Sequence, residues 1–89
     1  MAHIAFTPQL RRFVTVPEVD TNAATLRDGL ETAFALNPKL RGYVLDDQGH
    51  LRANVVVFID GRRCQDRHDL GDALAPGAKV HVLQALSGG

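Results

Sequence analysis

The chain ends in Gly88 and Gly89, which present a carboxylate on a tip without side chains. Glycine has no Cβ and reaches backbone conformations closed to other residues. Two in a row make a thin, pliable tip, suited to a channel too narrow for a side chain. Ser87 adds a small polar residue behind them, and no Asp, Glu, Lys or Arg follows Lys79. The last part of the chain can therefore enter a partner without desolvating a formal charge. A second candidate is Cys64, preceded by Arg62 and Arg63, because nearby arginines lower a thiol pKa. A strand-edge thiol without a role is the simpler reading and the one preferred here. His68, within Asp66-Arg67-His68-Asp69, has no second His or Cys at ligand spacing, and His3, His50 and His81 are scattered along the chain. A solvated polar turn is expected there, and no metal site. Asp46-Asp47-Gln48-Gly49 lacks the distal bidentate Glu of a calcium loop and reads as a turn. There is no Ser-His-Asp or Cys-His arrangement and no Gly-rich phosphate loop. The chain is not expected to be an enzyme in its own right, nor to hold a bound cofactor.

Composition sets the bounds on what positions these groups. Eighty-nine residues make one small domain. Hydrophobic residues are 45% and charged residues 22%, too apolar for a disordered chain. Ten basic residues cancel ten acidic ones. With no basic excess, nucleic-acid binding is not expected, even if Arg11-Arg12 and Arg62-Arg63 adjoin in a patch. One cysteine excludes an intramolecular disulfide. No apolar run approaches the length of a membrane span and no secretory signal is visible, so a cytoplasmic, membrane-free protein, monomeric when free, is expected.

His3 to about Thr7 and Leu10 to Val16 read as two short strands joined near Pro8. Glu18 to Asn22 is polar, and Asp20, Thr21, Asn22 and Thr25 are candidate N-caps for a helix. Leu26, Leu30, Ala33 and Phe34 recur at i, i+4, i+7 and i+8, which predicts that helix over about Ala23 to Leu36. Asn37-Pro38 ends it, because the residue before Pro is pushed out of the helical region. Leu40 to Leu45 is either a helical turn or an extended piece. Val55 to Ile59 is β-branched without alternation, the pattern of a covered inner strand. Asp60-Gly61 closes a hairpin onto Arg62 to Gln65. Leu70 and Leu74, four apart, suggest a turn or two of helix within Asp66 to Ala75. Pro76-Gly77 is a turn, and Lys79 to Leu86 is the last strand.

One main helix between two strand pairs, with a strand at the C-terminus, is the β-grasp order: an α+β fold with a mixed sheet of four or five strands. The domain is expected over residues 1–86, with 87–89 as a flexible tail. A helix across one sheet face would bury Leu26, Leu30 and Phe34 against Val55, Val57, Val80 and Val82. Val56 and Phe58 would point the other way, joined by His81 and Leu83. Either that second face is an exposed apolar interface, or residues 40–52 fold over it.

The order of elements, Val55-Val56-Val57-Phe58-Ile59-Asp60-Gly61, the stretch Pro76-Gly77-Ala78-Lys79-Val80 and the terminal Gly88-Gly89 together resemble the ubiquitin-like sulfur carriers of the MoaD/ThiS group. The resemblance covers nearly the whole chain. Two departures are Ala78-Lys79, where many relatives carry an acidic residue, and a tail without the prolines of several relatives. The segment 40–52 looks closest to the carrier of a cysteine-synthesis route; molybdopterin and thiamine pathways use others of the group. The resemblance implies a protein that is a co-substrate. An adenylyltransferase of the ubiquitin-activating type would use ATP to convert the Gly89 carboxylate, presented by Gly88, into an acyl-adenylate. A sulfur donor would displace AMP, and the thiocarboxylate would deliver sulfur to an acceptor held by a biosynthetic enzyme. Val56, Phe58, Leu83, Leu86 and Ser87 are the expected partner contacts. Two other readings stay open: a protein modifier joined to lysines through Gly89, and a non-transferring β-grasp binding module.

Overall fold

The computed structural model describes residues 1–6 and 18–84. The elements are strand β1 (Ala2–Phe6), strand β2 (Val19–Thr21), helix α1 (Leu26–Leu36), helix α2 (Lys39–Val44) and strands β3 (Val55–Ile59), β4 (Arg62–Arg63) and β5 (Lys79–Gln84). They form one five-stranded sheet in the order β2-β1-β5-β3-β4. β1 and β5 run parallel, with Ile4 opposite Val80 and Phe6 opposite Val82. The other pairings are antiparallel. This is the expected mixed-sheet β-grasp fold.

Alternation sorts the strand residues onto two faces. Ala2, Ile4, Phe6, Val19, Val55, Val57, Val80 and Val82 are buried on one side, with Leu26, Leu30, Ala33 and Phe34 of α1 over them. The predicted core is the observed core. Leu40 and Val44 of α2, with Leu45 and Leu51 beyond it, belong to the same cluster. Residues 40–52 therefore pack on the helix side of the sheet and do not fold over the second face.

α1 begins at Leu26, three residues later than predicted. Thr25 is its N-cap, its hydroxyl accepting the Asp28 N–H at 3.3 Å. Gly29 is not merely a weak helix former. A Cβ there would stand 3.1 Å from Ile4 Cδ1 and from Leu74 Cδ1, so its absence lets α1 lie close on the sheet. The Asp60-Gly61 turn has φ of 51° and 83° at its two central residues, the left-handed pair that a two-residue hairpin needs.

Two expectations are corrected, and a third falls outside the described residues. The polar segment Glu18 to Asn22 is not only a lead-in to the helix: it contains β2, whose Val19 and Thr21 are buried while Asp20 is exposed. The predicted strand from Leu10 to Val16 lies outside the described residues. The second helix is α2, and Asp66 to Ala75 holds none. In that loop carboxylates replace helical carbonyls as acceptors. Asp66 accepts the N–H groups of His68, Asp69 and Gly71 at 3.2, 2.9 and 3.1 Å. Asp72 accepts those of Gln65 and Asp66 at 2.9 and 2.8 Å. Leu70 sits in the left-handed region at φ 57°, fully buried. The loop then serves α1: the N–H groups of Leu26 and Arg27, unpaired within any helix's first turn, donate to the carbonyls of Asp72 and Leu70, each at 2.9 Å.

Candidate functional site

β5 delivers the chain toward its C-terminus. It is held on both sides, by β1 and by β3, so its last residue leaves from the middle of the sheet. Gln84 closes the strand, its side-chain amide donating to the Tyr43 carbonyl at 3.4 Å. Leu86, Ser87, Gly88 and Gly89 lie outside the described residues, as does the last part of the predicted strand. A domain boundary near 86 falls there too.

The face of the sheet away from the helices carries the other predicted contacts. Val56 stands opposite Leu83 and Phe58 opposite His81. Phe58 is also opposite Arg63 on β4, and His81 is opposite Ala5 on β1. One row across the sheet therefore reads Ala5, His81, Phe58, Arg63, with Leu83 and Val56 beside it toward the end where β5 finishes. Leu83 is 37% exposed; Val56 and Phe58 are half-buried. The structure brings Val56, Phe58 and Leu83 together as an apolar strip at the root of the C-terminal segment.

The far edge of the same face is polar and closed on itself. His3 stands opposite Asp20. Its Nδ1 lies 2.9 Å from an Asp20 carboxylate oxygen and its Nε2 2.9 Å from one of Glu18. Each ring nitrogen faces an acceptor that carries no proton, so both nitrogens donate and the imidazolium is the form that fits. The Asp20 hydrogen bond, then that to Glu18, raises the His3 pKa above its ordinary value.

Cys64 is not an exposed edge thiol. It is buried, its N–H donating to the Val57 carbonyl at 2.8 Å. Burial, and after it the charge of Asp72, pushes its pKa up. The thiol is kept protonated and poorly nucleophilic, in keeping with a cysteine that has no role. Arg62 and Arg63 lie on β4 at one edge of the sheet; Arg11-Arg12, the other pair, lie outside the described residues.

One juxtaposition has no counterpart in the sequence reading. His50 and His68, distant in the chain, stack with ring centroids 4.4 Å apart and planes 15° from parallel. Arg27 fixes the loops that carry them. Its guanidinium donates to the carbonyls of Asp69, Gly49 and His68 at 2.8, 2.8 and 3.1 Å. No single-residue signal announces this, because the partners are backbone carbonyls. Among the described residues no group of three His, Cys, Asp or Glu is arranged to hold a metal ion. A pocket of about 260 Å³ opens at the other end of the sheet, beside Met1, Asn22 and Pro76. No Asp, Glu, His, Lys or Arg lines it. Among the described residues no helix is long and apolar enough to cross a membrane.

A ubiquitin-like β-grasp domain with an open sheet face beside the root of its C-terminal segment is the class that fold and site define. The ThiS family model matches residues 4–89, and the chain belongs to that family of ubiquitin-like sulfur carriers and modifiers. Solved structures agree. The chain is 25% identical to SAMP1 from Haloferax volcanii, covering 99% of its own length and 98% of that chain, with a TM-score of 0.79. It is 18% identical to the small archaeal modifier protein SAMP1 from Methanosarcina acetivorans, over 99% of this chain and 95% of that one, with a TM-score of 0.79. It is 17% identical to a chain of the BexX/CysO complex of Amycolatopsis orientalis, over 100% of both, with a TM-score of 0.76. The last two likenesses bear on the fold alone. No curated protein matches the sequence.

Proposed function

We propose that the protein is a sulfur carrier whose Gly89 carboxylate is activated by a ubiquitin-activating-type adenylyltransferase. The carboxylate attacks the α-phosphorus of ATP, pyrophosphate leaves, and an acyl-adenylate forms. A sulfide equivalent from a donor attacks the acyl carbon and expels AMP, which leaves a thiocarboxylate on Gly89. That group passes sulfur to an acceptor held by a biosynthetic enzyme. ATP is bound by the activating enzyme, and this chain contributes no acid, base, metal or cofactor. Free, it acts as a monomer; activating and accepting enzymes engage Val56, Phe58 and Leu83 in turn, with Leu86 and Ser87 leading Gly88 and Gly89 into the active site.

The observation that carries this reading is the family match, which runs through to Gly89. β5 supports it mechanically, because a tail rooted in the centre of a sheet is presented from a fixed point. The buried thiol of Cys64 supports it by elimination, since it leaves the terminal carbonyl as the place for sulfur. A modifier role, with Gly89 joined to a lysine of a target, is the second reading, favoured by the 25% identity to SAMP1 from Haloferax volcanii, a small archaeal modifier protein. Both begin with the same adenylate.

The test is ATP–pyrophosphate exchange with the purified adenylyltransferase of the same organism. Removal of Gly88 and Gly89 is expected to abolish exchange without lowering Tm. Loading with sulfide should then raise the intact mass by the difference between sulfur and oxygen. Undiminished exchange by the shortened chain would overturn both readings and leave a plain binding module.

A further inference from the structure

The chain is neutral in total, but its charges are not spread evenly over the outer face. Glu18 and Asp20 at the β2 edge are bound to His3. The carboxylates nearest in sequence to β4 are also engaged. Asp60 accepts the Lys79 N–H at 2.9 Å, and Asp66 and Asp72 hold loop N–H groups. The arginines divide just as sharply. Four of the six described arginines are used by the fold. Arg27 donates to three loop carbonyls, Arg41 pairs with Glu31, and Arg52 and Arg67 donate to the carbonyls of Gly42 and Arg52, each at 2.7 Å. The other two are Arg62 and Arg63, adjacent and exposed on the edge strand. Among the described residues neither side chain has a hydrogen-bond or ion-pair partner.

Register decides which of them faces a partner. Arg63 lies opposite Phe58 and shares the outer face with it, whereas Arg62 lies opposite Ile59, at the rim of the helix side. Lys79 is exposed on the outer face as well, and its side chain has no acidic partner among the described residues. Arg63 thus stands beside Phe58 of the Val56–Phe58–Leu83 strip, and Lys79 lies one outward position beyond His81, opposite His3, while the acidic residues of this face sit at the opposite edge, both bound to His3.

We propose that the β5–β3–β4 half of the outer face docks a protein surface that sets carboxylates around an apolar contact, with Arg63 as the residue that recognises the carboxylate and Lys79 as its auxiliary. The occupant is the activating enzyme, so this inference rests on the proposed function and adds the sign of the partner's surface. Charge complementarity of this kind acts mainly on the rate of encounter and is screened by salt. A guanidinium beside an aromatic ring also offers a planar two-pronged donor that an ammonium does not reproduce.

The experiment measures kcat/KM for ATP–pyrophosphate exchange by the adenylyltransferase of the same organism at low and high salt. The variants are Arg63→Glu, Arg63→Lys and Lys79→Glu, each checked for unchanged Tm. Arg63→Glu should lose roughly tenfold at low salt, shrinking to about two- to threefold at high salt. Lys79→Glu should lose less, and Arg63→Lys, which keeps the charge but not the planar fork, should lose about two- to threefold by an amount that changes little with salt. Exchange by Arg63→Glu within twofold of the parent at both salt levels would overturn the inference alone, and make Arg63 a solvated guard of the sheet edge. Absence of exchange by the parent protein would overturn the functional reading and this inference with it.

Discussion

The two faces of the sheet come from the same strands and obey opposite rules. On the helix side, Ile4, Val55, Val57, Val80 and Val82 have no exposed surface, and Leu26 and Leu30 above them have none either. On the other side, the same strands present His3, Lys79, His81 and Leu83, and the half-buried Val56 and Phe58. β3 differs least between its sides, because Val, Val, Val, Phe and Ile are apolar throughout. An apolar residue facing the helices is explained by packing. One facing outward, next to the strand that leads to the C-terminus, is not, and under the proposed function it is the surface set aside for a partner.

That contrast can be broken in graded ways. Leu30→Ala should cost about 2–5 kcal/mol, a large fraction of the stability of a small domain. Thermal or urea unfolding would measure it, and a loss below about 1 kcal/mol would mean that the inner face relaxes around the gap. Phe58→Asp should cost far less, roughly 1 kcal/mol, and keep a single cooperative transition while exchange with the activating enzyme weakens. If Phe58→Asp unfolds the chain instead, Phe58 belongs to the core and the two faces are not functionally distinct. The smallest effect belongs to His3. Its folded pKa is raised, so its stabilisation is fully present below the ordinary imidazole value and is lost as pH rises through the folded pKa. The Tm difference between the parent and His3→Gln should therefore be largest near about pH 5.5 and vanish in alkaline solution. A difference that is constant with pH would show that His3 acts by packing and not by charge.

Much of this is legible in the sequence because it is written in short-range patterns. The i, i+4, i+7, i+8 spacing of Leu26 to Phe34 marks α1, Asp60-Gly61 marks the hairpin, and Val55 to Ile59 marks β3. The loop 66–75 departs from its pattern for a physical reason. Leu70 and Leu74 do have helical spacing and are buried, but Asp66 and Asp72 capture the backbone N–H groups that a helix would have used. β2 escapes notice because two of its three residues, Asp20 and Thr21, are polar, and the segment is buried by packing against β1 and α1, which its own short pattern does not announce. The stacking of His50 on His68 depends on Arg27, whose partners are carbonyls that every residue has. At the candidate site, the apolar strip follows from alternation, whereas the isolation of Arg63 emerges only when the partners of the other arginines are known.

The parallel pairing of β1 with β5 has a consequence for how the protein is made. The first strand of the chain finds its neighbour among residues 79–82, nearly the whole length of the sequence away, so the central contact of the sheet is among the last to become possible during synthesis. A chain that stops short of Lys79 has β1 and β3 with nothing between them and exposes Ile4, Val55 and Val57 to water. Folding thus acts as proofreading. A ribosome product acquires its core only after β5, the strand that leads to the C-terminus, has been translated, and a chain terminated before it keeps its apolar strands uncovered.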